Sequence, residues 1–124
     1  MNILAWILSG LLAAAMLAVG GNKLAASREK LLANPQMGWA SDFTNPQVKT
    51  IGTLEVLAAI GLVLPWLTHI ARVLTPLAGL GVVALMIGAM VVHARRGELK
   101  QALPINSVLL LLGLVVAVIR FSQL

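Results

Sequence analysis

Lys23, Glu55, His93 and Asn106 carry the groups best able to hold a ligand or move a proton in an otherwise apolar chain. Glu55 is the sole charged residue of "IGTLEVLAAIGLVLP", Ile51 to Pro65. An uncompensated charge near the bilayer core costs at least about 2.5–3.5 kcal/mol on insertion scales, so a carboxylate there requires a partner or a purpose. A lysine and a carboxylate lined by soft apolar side chains would suit the polar end of an apolar molecule, or a proton. The same pair could only fix how two helices dock, because buried pairs are weak evidence for stability or function. Lys23 could also snorkel into the headgroups and leave Glu55 alone.

Helical spacing says which way these residues point. Gly52, Glu55 and Ala59 share one face, and small residues mark the faces where membrane helices approach each other. Gly20 lies three residues before Lys23, again a small neighbour on the same face. Met86, Met90 and His93 form an i, i+4, i+7 stripe that would line a cavity and cap it with an imidazole. The expected site is a Lys23–Glu55 contact in a pocket formed by Asn22, Lys23, Gly52, Glu55, Met86, Met90, His93 and Asn106, with Met37 and Trp39 as its lid.

Other chemistries find little support. His69 falls on the opposite side from His93, so a metal site of two imidazoles within one subunit is excluded, and no metal is expected. The absence of cysteine removes disulfides, thiolate metal sites and dithiol relays together. Ser9, Ser27, Ser41, Ser107 and Ser122 have no histidine and carboxylate companions, and "LAVGGNK" lacks the spacing of a phosphate-binding loop. No intrinsic cofactor is called for.

The elements that must position the site are membrane spans. Of 124 residues, 60 % are hydrophobic and 10 % charged, against about 25 % charged in an ordinary soluble domain. Met1 to Asn22, Val73 to Val92 and roughly Ala102 to Ile119 carry no charged side chain and approach or exceed the ~20 residues needed to cross the hydrocarbon. The fourth such run contains Glu55. A cleaved signal peptide is the rival for the first run, but the run is too long and lacks a basic start. The fold expected is all-α, a single domain over 1–124: an antiparallel up-down bundle of helices at about 2–24, 46–64, 75–94 and 103–121. Pro46, Pro76 and Pro104 stand near helix starts, Asn45 and Thr75 suit N-caps, and Pro65 closes the second span.

"WLTHIARVL" and "ARRGELKQAL" are short connections that make their flanking helices antiparallel neighbours. The first connection is long. Leu24 to Leu32 prolongs the first helix or lies at the interface with Leu24, Leu31 and Leu32 on lipid, and the segment with Met37, Trp39 and Phe43 either folds back as a lid or anchors at the interface. Lys23, Arg28, Lys30, Lys49, Arg95, Arg96 and Lys100 fall on one side; Arg72 and Arg120 fall on the other. Positive residues stay in the cytoplasm, which puts loops one and three inside and both termini outside a bacterial cytoplasmic membrane. The net charge of +5 therefore reports orientation and not nucleic acid.

"GGNKLAA", "VKTIGTLEVLAAIGLVLP", "RVLTPLAGLGVVALMIGAMVVHARRGE" and a final span ending in Arg120 resemble the DoxX-like family of small four-helix bacterial membrane proteins. The resemblance covers nearly the whole chain and rests on Lys23, Gly52, Glu55, Gly61, Pro65, Pro76, Met86, Gly88, His93, Arg96, Gly97 and Glu98. The family takes its name from a subunit of a thiosulfate:quinone oxidoreductase, and similar proteins are linked to oxidative-stress complexes and receptor chaperones. The resemblance implies the bundle and a site at Lys23, Glu55 and His93, without naming what binds. Three functions stay open: a pocket for an apolar small molecule such as a quinone or lipid, a membrane subunit serving a peripheral oxidoreductase, and a structural or assembly protein. The chain is not expected to be an enzyme on its own. Besides the bilayer, its candidate partners are such a ligand, such an oxidoreductase or further copies of itself.

Overall fold

Four long helices take up the apolar runs, in a computed structural model that describes residues 2–33 and 35–124 and, within these, all side chains but those of Pro35, Gln36, Met37, Asp42, Leu99, Gln101 and Ala102. They are α1 (Asn2–Ala25), α3 (Asn45–Thr68), α4 (Leu74–Arg95) and α5 (Leu99–Ser122); a short α2 (Arg28–Ala33) and a 3-10 helix, η1 (Pro35–Asp42), fill the first connection. There is no strand among the described residues. Each long helix is long and apolar enough to cross a membrane. Their outward faces carry Ile3 at 77 % and Val118 at 61 % exposure, a pattern that suits lipid as the surrounding solvent. The protein is a small multi-pass membrane protein.

The helices form a ring in the order α1, α3, α4, α5, with α1 against α3 and α4 against α5 as the two most extensive contacts. The centre is apolar and drawn from all four: Leu12 and Met16, Ala58, Ala59 and Leu62, Val82 and Met86, Leu109 and Val116. Backbones touch at glycine, where an ideal Cβ on Gly79 would stand 2.7 Å from the Gly113 carbonyl oxygen.

The helix ends depart from the sequence reading for local reasons. Thr44, and not Asn45, caps α3: its Oγ1 accepts from the Gln47 amide while Gln47 Oε1 accepts from the Thr44 amide, a capping box. Pro65 does not close α3, which runs on to Thr68. A proline in a helix leaves the carbonyl four residues back without its donor, here Gly61. Thr75 supplies the replacement, its Oγ1 donating to Gly61 O at 2.9 Å. That hydroxyl is fully buried, so it joins α3 to α4 instead of capping α4, whose N-cap position is Val73. Thr75→Val leaves the carbonyl of half-buried Gly61 without that donor, and is expected to lower stability by about 1–3 kcal/mol. Thr75→Ser should retain most of it. Unfolding of both variants in mixed micelles, followed by helical circular dichroism, checks this. At α5 the helix starts at Leu99 and not at 103, which puts Pro104 inside it. The carbonyl freed there belongs to the exposed Lys100, outside the apolar stretch that begins at Leu103.

In the first connection α1 ends at Ala25 and does not continue. Leu24 and Leu32 are exposed, but Leu31 is buried, packed with Ala40 and Val48 and flanked by Trp39 and Phe43. The expectation that Leu31 faces lipid fails because η1 doubles back over α2 and covers it. Trp39 and Phe43 meet edge to face at 5.7 Å, and Arg28 Nη2 donates to Phe43 O at 2.9 Å, which fixes the return of the chain.

Candidate functional site

The site grows out of a backbone contact. An ideal Cβ on Gly20 would lie 2.7 Å from Gly52 O, and one on Gly52 would lie 2.9 Å from Gly20 O. Only paired glycines let α1 and α3 come this close. Three residues further along each helix stand Lys23 and Glu55, on the same faces as the glycines. The Lys23 ammonium donates to Glu55 Oε1 at 2.6 Å, with Lys23 5 % and Glu55 3 % exposed. Such charge-assisted bonds are stronger than neutral ones, and a low-dielectric setting strengthens them further.

Two further groups hold the pair in place. Lys49, one turn before Gly52, donates to the carbonyls of Lys23, Leu24 and Ala26. The first two lie in the last turn of α1 and the third just beyond it, where carbonyls lack intrahelical donors; a cation there also meets the negative end of the helix dipole. Above the pair lies η1, with the Trp39 ring centroid 5.5 Å from Lys23 Nζ, within the range of a cation–π contact. η1 also reaches the residue that follows α4, where an ideal Cβ on Gly38 would stand 3.2 Å from Nη2 of the C-cap Arg96.

Arg96 belongs to a second cluster. Its Nε donates to Glu98 Oε1 at 3.0 Å, and Glu98 Oε2 lies 3.3 Å from His93 Nδ1. The bond from Arg96, with a smaller contribution from His93, holds the Glu98 carboxyl below the usual carboxylate range.

The residues expected at the site are thus placed unequally. Lys23, Gly52 and Glu55 come together, with Trp39 over them. Met86 is buried in the central core and Met90 is half-buried. Asn106 is buried, and its Nδ2 has no hydrogen-bond partner among the described residues. His93 bonds Glu98, five residues on, because the turn at Gly97 (φ 72°) brings the start of α5 back to the end of α4. Asn22 is exposed: one residue from Lys23 is about 100° around a helix. The Met37 side chain lies outside the described residues. Lys49, which the sequence marks only as one more basic residue of the expected cytoplasmic side, is a positioning residue set opposite the end of α1.

A ring of four spans that buries a lysine–carboxylate pair near one end defines a class of small helical membrane protein. The chain belongs to the DoxX-like family, whose model matches residues 7–117. That interval includes Lys23, Trp39, Glu55 and the His93–Glu98 cluster, and stops short of Arg120. No curated protein and no solved structure matches the chain.

Proposed function

We propose that this chain is a binding or accessory protein of a bacterial cytoplasmic membrane, with loops one and three in the cytoplasm and both termini outside. Its site takes an apolar small molecule with one polar end, a quinone or a lipid-like acid, near Lys23 and Glu55, and η1 is the lid that moves to admit it. The observation that carries this reading is the buried Lys23–Glu55 pair with Trp39 folded over it. The polar end would engage the ammonium or the carboxylate, and Nδ2 of Asn106, without a partner among the described residues, is a further donor on the same half of the bundle. Met86 and Met90 offer adaptable apolar surface to the tail.

Thermal unfolding in neutral detergent with a short-tailed quinone, and separately with a long-chain fatty acid, tests it. A ligand at a hundredfold excess over its Kd stabilises a native state by about 2.7 kcal/mol. That gain is expected for the unaltered chain and is lost in Glu55→Gln, with the helical fold intact. Equal gains in both proteins, or none in either, would refute the reading. A purely structural pairing is the rival, favoured by the Gly20–Gly52 contact one turn away, and joint replacement of Lys23 and Glu55 separates the two.

A further inference from the structure

The opposite end of the bundle buries a second cation, and among the described residues no Asp or Glu is paired with it. Arg120, on the last turns of α5, is 0 % exposed and the bulkiest of the fully buried side chains. Its guanidinium carbon lies 4.3 Å from the Trp66 ring centroid and 4.9 Å from that of Trp6, while Arg72 also approaches Trp66, at 5.0 Å. Nη1 donates to Asn2 Oδ1 at 2.8 Å and to Gln123 Oε1 at 2.7 Å. Nε and Nη2 have no hydrogen-bond partner among the described residues.

That division of labour is informative. A guanidinium keeps its charge and offers its donors in a fixed plane. Nε and Nη2 form one edge of that plane, the edge that meets the two oxygens of a carboxylate or phosphate side by side. The two indoles fix the plane, and the amides of Asn2 and Gln123 occupy the other side. The chain has four acidic residues, Glu29, Asp42, Glu55 and Glu98. The first two lie in the α2–η1 connection, Glu55 pairs with Lys23 in the third turn of α3, and Glu98 lies in the α4–α5 turn. All belong to the other half of the bundle. The Arg120 end therefore carries two arginines and no acidic side chain, at the level where Trp6 and Trp66 mark the edge of the bilayer.

We infer that Arg120, walled by Trp6 and Trp66, is a binding site for one oxyanion, a phosphate or carboxylate that sets two oxygens on Nε and Nη2. The phosphate of a lipid headgroup and a free phosphate share this chemistry. Asn2 is exposed and Gln123 half-buried, so the amides holding Nη1 border the surface and the guanidinium lies close beneath it. This site is independent of the one at Lys23 and Glu55 and stands or falls separately.

The chain has three tryptophans, so in a Trp39→Phe background only Trp6 and Trp66 report. In dodecyl maltoside, that protein is titrated with phosphatidylglycerol in mixed micelles and, separately, with inorganic phosphate. A saturable change in tryptophan emission with a matching rise in melting temperature is expected. A response to the lipid alone assigns a headgroup site, and a response to both assigns a site for free oxyanions. Arg120→Lys keeps the charge but loses the fork, and should need at least tenfold more ligand for half-saturation; Arg72→Lys should stay within twofold. No saturable response to either ligand, or an unchanged titration in Arg120→Lys, overturns the inference. If Arg120→Lys does not fold, Asn2→Ala with Gln123→Ala decides: it leaves the free edge intact, so binding within threefold supports the site and a tenfold loss overturns it.

Discussion

Replacing Lys23 by Met is expected to destabilise the bundle by about 3–5 kcal/mol, while replacing Lys23 and Glu55 together by Met restores most or all of that loss. The reason lies in what each change leaves behind. Glu55 is 3 % exposed, with Lys23 as its hydrogen-bond partner. Deleting the ammonium strands a carboxyl among apolar helices, whereas deleting both removes the desolvation cost together with the attraction that offset it. Two methionines of similar reach can then pack under Trp39. Reversible unfolding in mixed micelles, with helical circular dichroism as the signal, gives both numbers. A Lys23→Met loss under about 1 kcal/mol would mean the pair behaves as an exposed one, contrary to its burial. The double variant also bears on function. If it is as stable as the unaltered chain yet gains nothing from a quinone or fatty acid, the pair is kept for what it binds. If it is stable and still gains, the pair serves docking.

The pairing of Lys23 with Glu55 was legible because three independent regularities met there: the cost of a lone charge in lipid, glycine three residues away on each helix, and a common depth. The spans were legible for a simpler reason, since a bilayer demands long runs without charge. What escaped the sequence reading was chemistry between elements. Pro65 looks like a terminator until Thr75, on the next helix, is seen bonding the carbonyl that it frees. His93 sits on the stripe of Met86 and Met90, yet a turn at Gly97 offers it Glu98 at 3.3 Å, and a local carboxylate outcompetes a distant one. Arg120 looked like an ordinary flanking charge, because nothing in its neighbourhood of sequence announces that Trp6 and Trp66, on two other helices, will enclose it.

Gly20→Ala and Gly21→Ala, one residue apart, are expected to move stability in opposite directions. Both replace glycine by the strongest helix former, a gain of up to about 1 kcal/mol in helix propensity. At Gly21 nothing lies within 4 Å of the added methyl, so that gain is realised. At Gly20 the same methyl would stand 2.7 Å from Gly52 O, 2.9 Å from Glu55 Cβ and 3.0 Å from Val56 Cγ2. The first of these is backbone, which cannot turn aside as a side-chain tip would. The helices must part, and overpacking of this kind costs about 1–3 kcal/mol. Parting also stretches the Lys23–Glu55 bond one turn away, so the effect of Gly20→Ala is not additive with loss of the pair. In a Lys23→Met, Glu55→Met background, Gly20→Ala should therefore cost measurably less than in the unaltered chain. The same contrast is available on the other helix pair, where a methyl on Gly79 meets Gly113 O at 2.7 Å and one on Gly81 meets nothing within 4 Å. There the penalty should be independent of Lys23 and Glu55, because α4 and α5 close on each other away from the pair. If Gly20→Ala proved as benign as Gly21→Ala, the close crossing of α1 and α3 would be refuted, and with it the geometry that lets a lysine reach a carboxylate inside the membrane.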